Sequence, residues 1–87
     1  MITQKATIIN KLGLHARPAN NFVKLASSFK SDINIIKGDK KMNAKSMLGI
    51  LQAAAKCGQE IEIQCDGVDE EEAMKSLVDA IAAGLGE

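Results

Sequence analysis

The sequence predicts an α/β (α+β) fold, an open-faced sandwich in which three helices cover one face of a four-stranded sheet. Apolar residues alternate with polar residues in four segments and recur at helical spacing in three others. Each predicted strand has only one apolar face, so the other face of the sheet is expected to contact water. The 87 residues suffice for one core, and we expect a single domain over residues 1–87.

The first half of the chain predicts a strand, a helix and a hairpin. Residues 2–9 alternate as a strand does. A helix is predicted over residues 16–27, because its apolar residues fall at i, i+3, i+4 and i+7: Ala19, Phe22, Val23 and Ala26. Alternation returns over residues 32–37 and 40–43, and the Gly38-Asp39 pair between them is typical of a two-residue hairpin turn.

The second half predicts a helix, a strand and a closing helix, which gives the order β-α-β-β-α-β-α. A short helix is predicted over residues 47–54 with Ser46 as its N-cap. The clearest strand covers residues 60–65. The last helix runs to about residue 83, with a start that resembles a capping box and a glycine that closes it: Asp69, Glu72 and Gly84.

The segment from Gly13 to Ala19 holds the only histidine, His15, and the only proline, Pro18. Proline is favoured in the first turn of a helix, so His15 is expected at a helix start, where unpaired N–H groups and the positive end of the dipole attract anions. Arg17 adds donors that match phosphate oxygens. An imidazole beside an anion site indicates a nucleophile that accepts a phosphoryl group, although a surface capping histidine has the same local pattern. The nearest carboxylate in sequence, Asp32, is distant, which favours a carrier over a hydrolase.

The segment over residues 13–19 also resembles the active-site signature of the HPr family, the histidine-containing phosphocarriers of the phosphoenolpyruvate-dependent sugar phosphotransferase system. Residues 43–49 resemble the family's regulatory-serine segment, and residues 84–87 are similar to many family tails. The resemblance implies that His15 accepts a phosphoryl group from enzyme I and passes it to IIA-type proteins or domains, with Arg17 stabilising the phosphate. It implies a phosphoryl carrier that needs no cofactor, rather than an independent enzyme.

The resemblance also implies a regulatory site and a strand arrangement. Ser46 corresponds to the serine that an HPr serine kinase/phosphorylase modifies in lineages that possess one, although a serine at this position is also an ordinary helix cap. The resemblance implies a four-stranded antiparallel sheet in which the first and fourth strands pair centrally, with the second and third outside. Leu12 stands where many sugar-system relatives have a small hydroxyl residue, which leaves a nitrogen-related branch open as an alternative to sugar uptake.

The short helix that follows Ser46 has more apolar residues than one core can bury. We expect Leu48 and Leu51 to form an exposed patch that, with Met47, contacts partner proteins. Lys24 either joins Arg17 in a basic rim that helps partner proteins dock or is an ordinary solvated lysine. An alternative function is a regulatory binding module, in which phosphorylated Ser46 docks a kinase or a transcription factor.

Composition restricts the remaining function classes. Eleven basic and eleven acidic side chains give zero net charge, which argues against nucleic acid as a partner. The sequence has no membrane-spanning apolar run, and one histidine with two separated cysteines predicts no metal site. Cys57 and Cys65 are expected to be small core residues. Two thiols without a pairing pattern and four methionines suit a reducing cytoplasm, and we also expect a monomer.

Overall fold

The computed structural model describes residues 1–11, 13, 14, 16–53 and 56–85. The elements follow one another as β1 (Ile2–Thr7), α1 (Ala16–Ser27), β2 (Asp32–Lys37), β3 (Lys40–Asn43), α2 (Met47–Ala53), β4 (Glu60–Asp66) and α3 (Glu70–Ala82). This order confirms the predicted β-α-β-β-α-β-α pattern. The predicted end of α2 at Ala54 lies outside the described residues.

The four strands form one antiparallel sheet in the order β1-β4-β2-β3. The expected pairing of the first and fourth strands is confirmed, but the expectation that β1 is central and β2 lies outside is wrong. β2 pairs with both β3 and β4, and β1 is an edge strand. Hydrophobic burial explains this order, because β2 and β4 present fully buried isoleucines to the core, whereas β1 interrupts its covered face with exposed Gln4.

The three helices cover one face of the sheet. Phe22 of α1, Ile50 of α2 and Leu77 of α3 are completely buried against Ile33, Ile35, Ile61 and Ile63 of the two central strands. The opposite face carries a polar row that crosses all four strands in register: Thr3, Gln64, Asn34 and Asn43. The open-faced sandwich is therefore confirmed.

β1 is shorter than the predicted strand over residues 2–9. Ile8 is completely buried but lies after the strand, where its N–H donates to the carbonyl of Gln59 at 2.9 Å and its carbonyl accepts from Gly58 at 2.7 Å. Ile9 then points outward with 53% of its surface exposed. These two hydrogen bonds direct the chain from the sheet into the loop that precedes α1.

The start of α3 differs from the predicted capping box. Asp69 occupies the N-cap position, but its side chain makes no cap hydrogen bond. Its carboxylate instead accepts from the backbone N–H groups of Lys30 and Ser31 and from the hydroxyl of buried Ser31. The carboxylate therefore binds donors that are distant in sequence instead of the N–H groups at the start of α3. The hydrogen bond from the Ser31 hydroxyl is the main cause that lowers the pKa of Asp69.

Candidate functional site

The loop between β1 and α1 is held by a short-range hydrogen bond and a buried side chain before the predicted nucleophile. His15 itself lies outside the described residues, as does Leu12. The Gly13 N–H donates to the carbonyl of Asn10 at 2.9 Å, and Gly13 has a φ of 72°, a left-handed conformation that glycine adopts without strain. Leu14 inserts into the core with 4% of its surface exposed. Gly13 and Leu14 are thus fixed by a hydrogen bond and by burial, respectively, immediately before position 15 in the chain.

The helix that follows position 15 begins at Ala16, as predicted. Pro18 lies in its first turn and is buried, while Arg17 is exposed. The first turn holds no acidic residue, so nothing there neutralises the positive end of the helix dipole. Within the described part of the chain, Arg17 makes no ion pair or hydrogen bond, which leaves its five N–H donors available to a phosphoryl group.

Lys24 is also exposed and follows Arg17 by seven residues on the same helix. Seven residues are about two helical turns, so the two cations share one face of α1 with their Cα atoms about 10 Å apart. The expected basic rim is therefore geometrically available. Its contact with a partner stays a prediction.

Ser46 forms the N-cap of α2, as the sequence predicts. Its Oγ accepts from the backbone N–H of Gly49 at 3.2 Å, and its carbonyl accepts the helical hydrogen bond of Ile50 at 3.0 Å. Asn43 supports the cap, because its carbonyl accepts from the Ser46 N–H at 3.2 Å and its Oδ1 accepts from the Lys45 N–H at 2.8 Å. The serine is half-buried, and its hydroxyl is already committed to the helix.

The orientation of α2 is set by a close backbone approach at Gly49. A Cβ atom at this position would lie 2.8 Å from the backbone oxygen of Asn43, closer than real Cβ contacts come. Ile50 and Ala53 turn into the core, and Met47 is half-buried. The outward side of the helix is left to Leu48 and Leu51.

The expected apolar patch is confirmed as an exposed surface. Leu48 and Leu51 are 67% and 42% exposed, respectively. α1 and α2 are in contact with each other, so the patch and the cations of α1 belong to one helical layer. An exposed apolar patch in the same helical layer as exposed cations suits an acidic partner surface that has apolar residues of its own.

The charges are strongly segregated although the net charge is zero. Residues 1–56 carry ten of the eleven basic side chains and only two of the eleven acidic ones. Residues 57–87 carry one basic and nine acidic side chains, on and around β4 and α3. The net charge of the whole chain does not reveal this pattern, but the net charges of residues 1–56 and 57–87, taken separately, do. The segregation is one along the chain, since β1 and β4 are neighbours in the sheet and Lys5 pairs with Glu60 at 3.8 Å.

The two cysteines differ from each other. Cys65 is completely buried, and desolvation by burial is the main cause that raises the pKa of its thiol. Cys57 is exposed, with its Sγ 3.7 Å from the carbonyl oxygen of Ile9, so the prediction of a core cysteine is wrong there. Its position in the turn before β4 explains this. Over the part of the chain that the structure describes, no cluster of three His, Cys, Asp or Glu side chains could hold a metal ion, and no helix is long and apolar enough to span a membrane.

Two asparagines near the predicted nucleophile were not identified from the sequence. Asn10 is 4% exposed and donates its side-chain N–H to the carbonyl of Gly84. Asn21 of α1 donates to the carbonyl of Leu85 at 2.7 Å. Both acceptors lie just beyond the last turn of α3, far from the asparagines in sequence, so no local pattern could reveal these contacts.

Comparison with known proteins gives concordant matches over the chain. A family model described as the PTS HPr component phosphorylation site matches residues 2–83. The chain is 48% identical to the phosphocarrier protein HPr of Neisseria meningitidis over 87 residues, covering all of this chain and 98% of that protein. The crystal structure of HPr from Thermoanaerobacter tengcongensis superposes with a TM-score of 0.96 at 47% identity, covering 100% of this chain and 98% of that one. The crystal structure of Crh from Bacillus subtilis, described as a swapped-domain dimer, has a TM-score of 0.78 at 39% identity and covers 97% of both chains.

Proposed function

Because the chain belongs to the HPr family of phosphocarrier proteins of the phosphotransferase system, we propose that His15 carries the phosphoryl group between enzyme I and IIA-type proteins or domains. The observation that carries this proposal is the position of residue 15 directly before α1. The helix begins at Ala16 with no acidic residue in its first turn and with exposed Arg17 one residue further on. Unpaired N–H groups of the first helical turn and a guanidinium therefore follow position 15 directly in the chain, and both would stabilise the negative charge of a phosphoryl group.

In the proposed transfer, a ring nitrogen of neutral His15 attacks the phosphorus atom of the phosphohistidine on enzyme I. A new phosphorus–nitrogen bond forms at His15 while the bond to the donor histidine breaks, and the donor imidazole keeps the electron pair. Phosphoryl transfer has a loose transition state, so the protein contributes mainly position and charge stabilisation. Arg17 supplies that charge to the phosphoryl oxygens, and the same step with a IIA histidine as acceptor returns His15 to its free form.

The charge distribution supports a carrier rather than a phosphatase. Hydrolysis requires a base that activates water near the phosphorus atom. The described loop and the first turn of α1 hold no carboxylate. The phosphohistidine would therefore persist long enough for a second protein to accept the group.

The partner surface in this proposal combines the cations of α1 with the apolar patch of α2. Arg17 and Lys24 would attract an acidic partner, and Leu48, Leu51 and Met47 would supply the apolar contact. Enzyme I and the IIA acceptor would use this surface in turn, since each must bring its own histidine to position 15. Zero net charge does not prevent this, because α1 and α2 hold no acidic residue, so Arg17 and Lys24 are not neutralised within the elements that form the surface.

Ser46 supports a second, regulatory candidate function. A phosphate on its Oγ would lie at the N-terminus of α2 and next to the patch of Leu48 and Leu51. An HPr serine kinase/phosphorylase is the proposed modifying enzyme. A regulatory binding module without phosphoryl relay remains the alternative function, and the relative Crh, which is named an HPr-like protein, shares the same fold.

Several attributes of the carrier are part of the proposal. We place it in the cytoplasm, where phosphoenolpyruvate is available, as a single domain in sugar uptake, with a nitrogen-related branch as the alternative. We propose a monomer that works without a cofactor. Crh is described as a swapped-domain dimer, so the molar mass of this chain should be measured by light scattering at several concentrations. A mass that stays at that of one chain supports the monomer, and a mass that doubles contradicts it.

Relay to an acceptor tests the proposed function. The protein is incubated with phosphoenolpyruvate, Mg²⁺ and a catalytic amount of enzyme I, and a IIA protein from the sugar branch or from the nitrogen branch is then added. Phosphate that appears on one IIA protein only when this chain is present supports the carrier and assigns its branch. Phosphate that enters neither IIA protein, while Ser46 still accepts phosphate from a serine kinase, favours the regulatory module.

A further inference from the structure

We propose that Asn10 and Asn21 are positioning residues that brace the histidine loop against the C-terminal end of α3. The inference rests on the proposed function and extends it to residues that flank position 15 on both sides. Asn10 belongs to the loop before it, and Asn21 belongs to the helix after it. Both side chains donate to consecutive carbonyl groups, those of Gly84 and Leu85. One helix end thus holds both flanks of the loop in one geometry.

The end of α3 is built rigidly enough to serve as a brace. Gly84 has a φ of 82° and donates to the carbonyl of Ile81 at 3.0 Å, while the Leu85 N–H donates to the carbonyl of Ala80 at 2.9 Å. This pair of hydrogen bonds is a Schellman motif, which closes the helix and fixes the direction of the chain beyond it. The two carbonyl groups that receive the asparagines are therefore held in place by the helix itself.

Leu85 shows that the arrangement is maintained against a local cost. Its φ of 52° lies in the left-handed region, which a residue with a branched side chain rarely adopts. Its side chain is buried, with 4% of its surface exposed, and its carbonyl accepts from Asn21 at 2.7 Å. Burial and the hydrogen bond from α1 together stabilise a conformation that the backbone alone would disfavour.

The environment of Asn10 indicates a role other than stability. Its side chain is 4% exposed, and its Oδ1 has no hydrogen-bond partner in the described part of the chain. A buried amide oxygen without a hydrogen-bond partner lowers the stability of the fold, and an apolar side chain at this position would avoid that desolvation cost. What the asparagine side chain provides is the donor to Gly84, while the backbone carbonyl of the same residue accepts from the Gly13 N–H at 2.9 Å. Asn10 therefore links the end of α3 directly to the turn that leads to position 15.

Three variants test the brace: Asn10→Leu, which keeps a branched side chain but removes the donor, Asn21→Ala, and the double variant. Enzyme I phosphorylation should show kcat lowered about tenfold in each single variant with KM unchanged, because a displaced nucleophile transfers more slowly but docks as before. The double variant should lose less than the product of the two single effects, since both side chains bind the same helix end. Amide exchange of Gly13 should become about threefold faster or more.

Two control variants separate positioning from simple loss of stability. Asn34→Ala removes an asparagine from the open face of the sheet, and Ile35→Val truncates a completely buried residue of β2. Neither should change kcat or the exchange of Gly13. Values of kcat and Gly13 exchange in the Asn10 and Asn21 variants that match these controls would overturn the brace. If wild type accepts no phosphoryl group, the proposed function fails, while Gly13 exchange still decides whether the brace exists.

Discussion

A negative charge at Ser46 is expected to stabilise α2 and at the same time to weaken the docking of enzyme I. The Ser46 Oγ accepts from the Gly49 N–H at 3.2 Å, and an Asp side chain at this position retains an acceptor while adding charge. The first turn of α2 has no acidic residue of its own. Ser46→Asp should therefore gain about 0.3–1 kcal/mol from the helix dipole, and Ser46→Ala should lose about 1 kcal/mol with the cap. Each kcal/mol corresponds to about 4–8 °C in Tm for a domain of this size.

The effect on docking follows from the position of the charge beside the apolar patch. Leu48 and Leu51 are 67% and 42% exposed, and a partner that covers them must also desolvate the new carboxylate. We expect the KM for phosphorylation by enzyme I to rise about tenfold, which corresponds to about 1.4 kcal/mol of lost binding, with kcat unchanged. Leu48→Ala should raise KM in the same direction without changing Tm by more than about 2 °C.

Thermal unfolding and steady-state phosphorylation by enzyme I measure the two effects separately. Val68→Asp is the matched control, because it adds the same charge at an 87% exposed position beside the start of α3. The control should leave KM unchanged. The reasoning is refuted if Ser46→Asp has the KM of wild type or of Val68→Asp, or if it melts below Ser46→Ala. In the first case the patch is not part of the donor interface, and Ser46 is only a helix cap.

Three further predictions concern the phosphoryl site, helix packing and pH. Arg17→Ala should slow phosphoryl transfer about ten- to a thousandfold, on the order of 1.4–4 kcal/mol of barrier. Its Tm should stay close to that of wild type, because the exposed guanidinium has no partner in the described part of the chain. Unaltered single-turnover rates with donor and acceptor would contradict the role of Arg17. Gly49→Ala should lower the free energy of unfolding, measured in urea, by about 1–3 kcal/mol despite the helix preference of alanine, because the new Cβ would lie 2.8 Å from the backbone oxygen of Asn43. A variant as stable as wild type would show that α2 can shift to make room for the methyl group. The pKa of Asp69 is lowered mainly by the hydrogen bond from the Ser31 hydroxyl, so the ionised carboxylate stabilises the fold above the ordinary pKa of about 3.9, and this stabilisation is lost as the pH falls through the lowered pKa of the folded state. Urea unfolding of Asp69→Asn should lack this decline of stability in acid, and parallel pH profiles of wild type and variant would exclude the effect.

Local periodicity predicted the elements well wherever a segment has one clear apolar face. α1, β2 and β3 have the bounds that the sequence predicted, because each is defined by the spacing of its own side chains. The order of the strands depends on the competition of all four for the centre of the sheet, which no single segment records. β1 is at the edge because of Gln4 on its covered face.

The functional residues likewise divide into those defined by local contacts, which the sequence predicts, and those defined by distant contacts, which it does not. The Ser46 cap and the start of α1 after His15 could be predicted, since both depend on neighbours within four residues. The role of Asp69 could not be predicted correctly, because the local donors of the expected capping box were replaced by donors 38 and 39 residues away. The contacts of Asn10 and Asn21 with the end of α3 span even longer separations.

Phosphorylation of His15 is tested most directly by the chemical stability of the phosphate that enzyme I transfers. Wild type, His15→Ala and Ser46→Ala are incubated with phosphoenolpyruvate and enzyme I, and the mass of each protein is measured before and after acid treatment. Wild type and Ser46→Ala should gain one phosphoryl group that is lost in acid, and His15→Ala, the variant without an imidazole, should gain none. An acid-stable phosphate on wild type, or an acid-labile phosphate on His15→Ala, would contradict the assignment of the nucleophile.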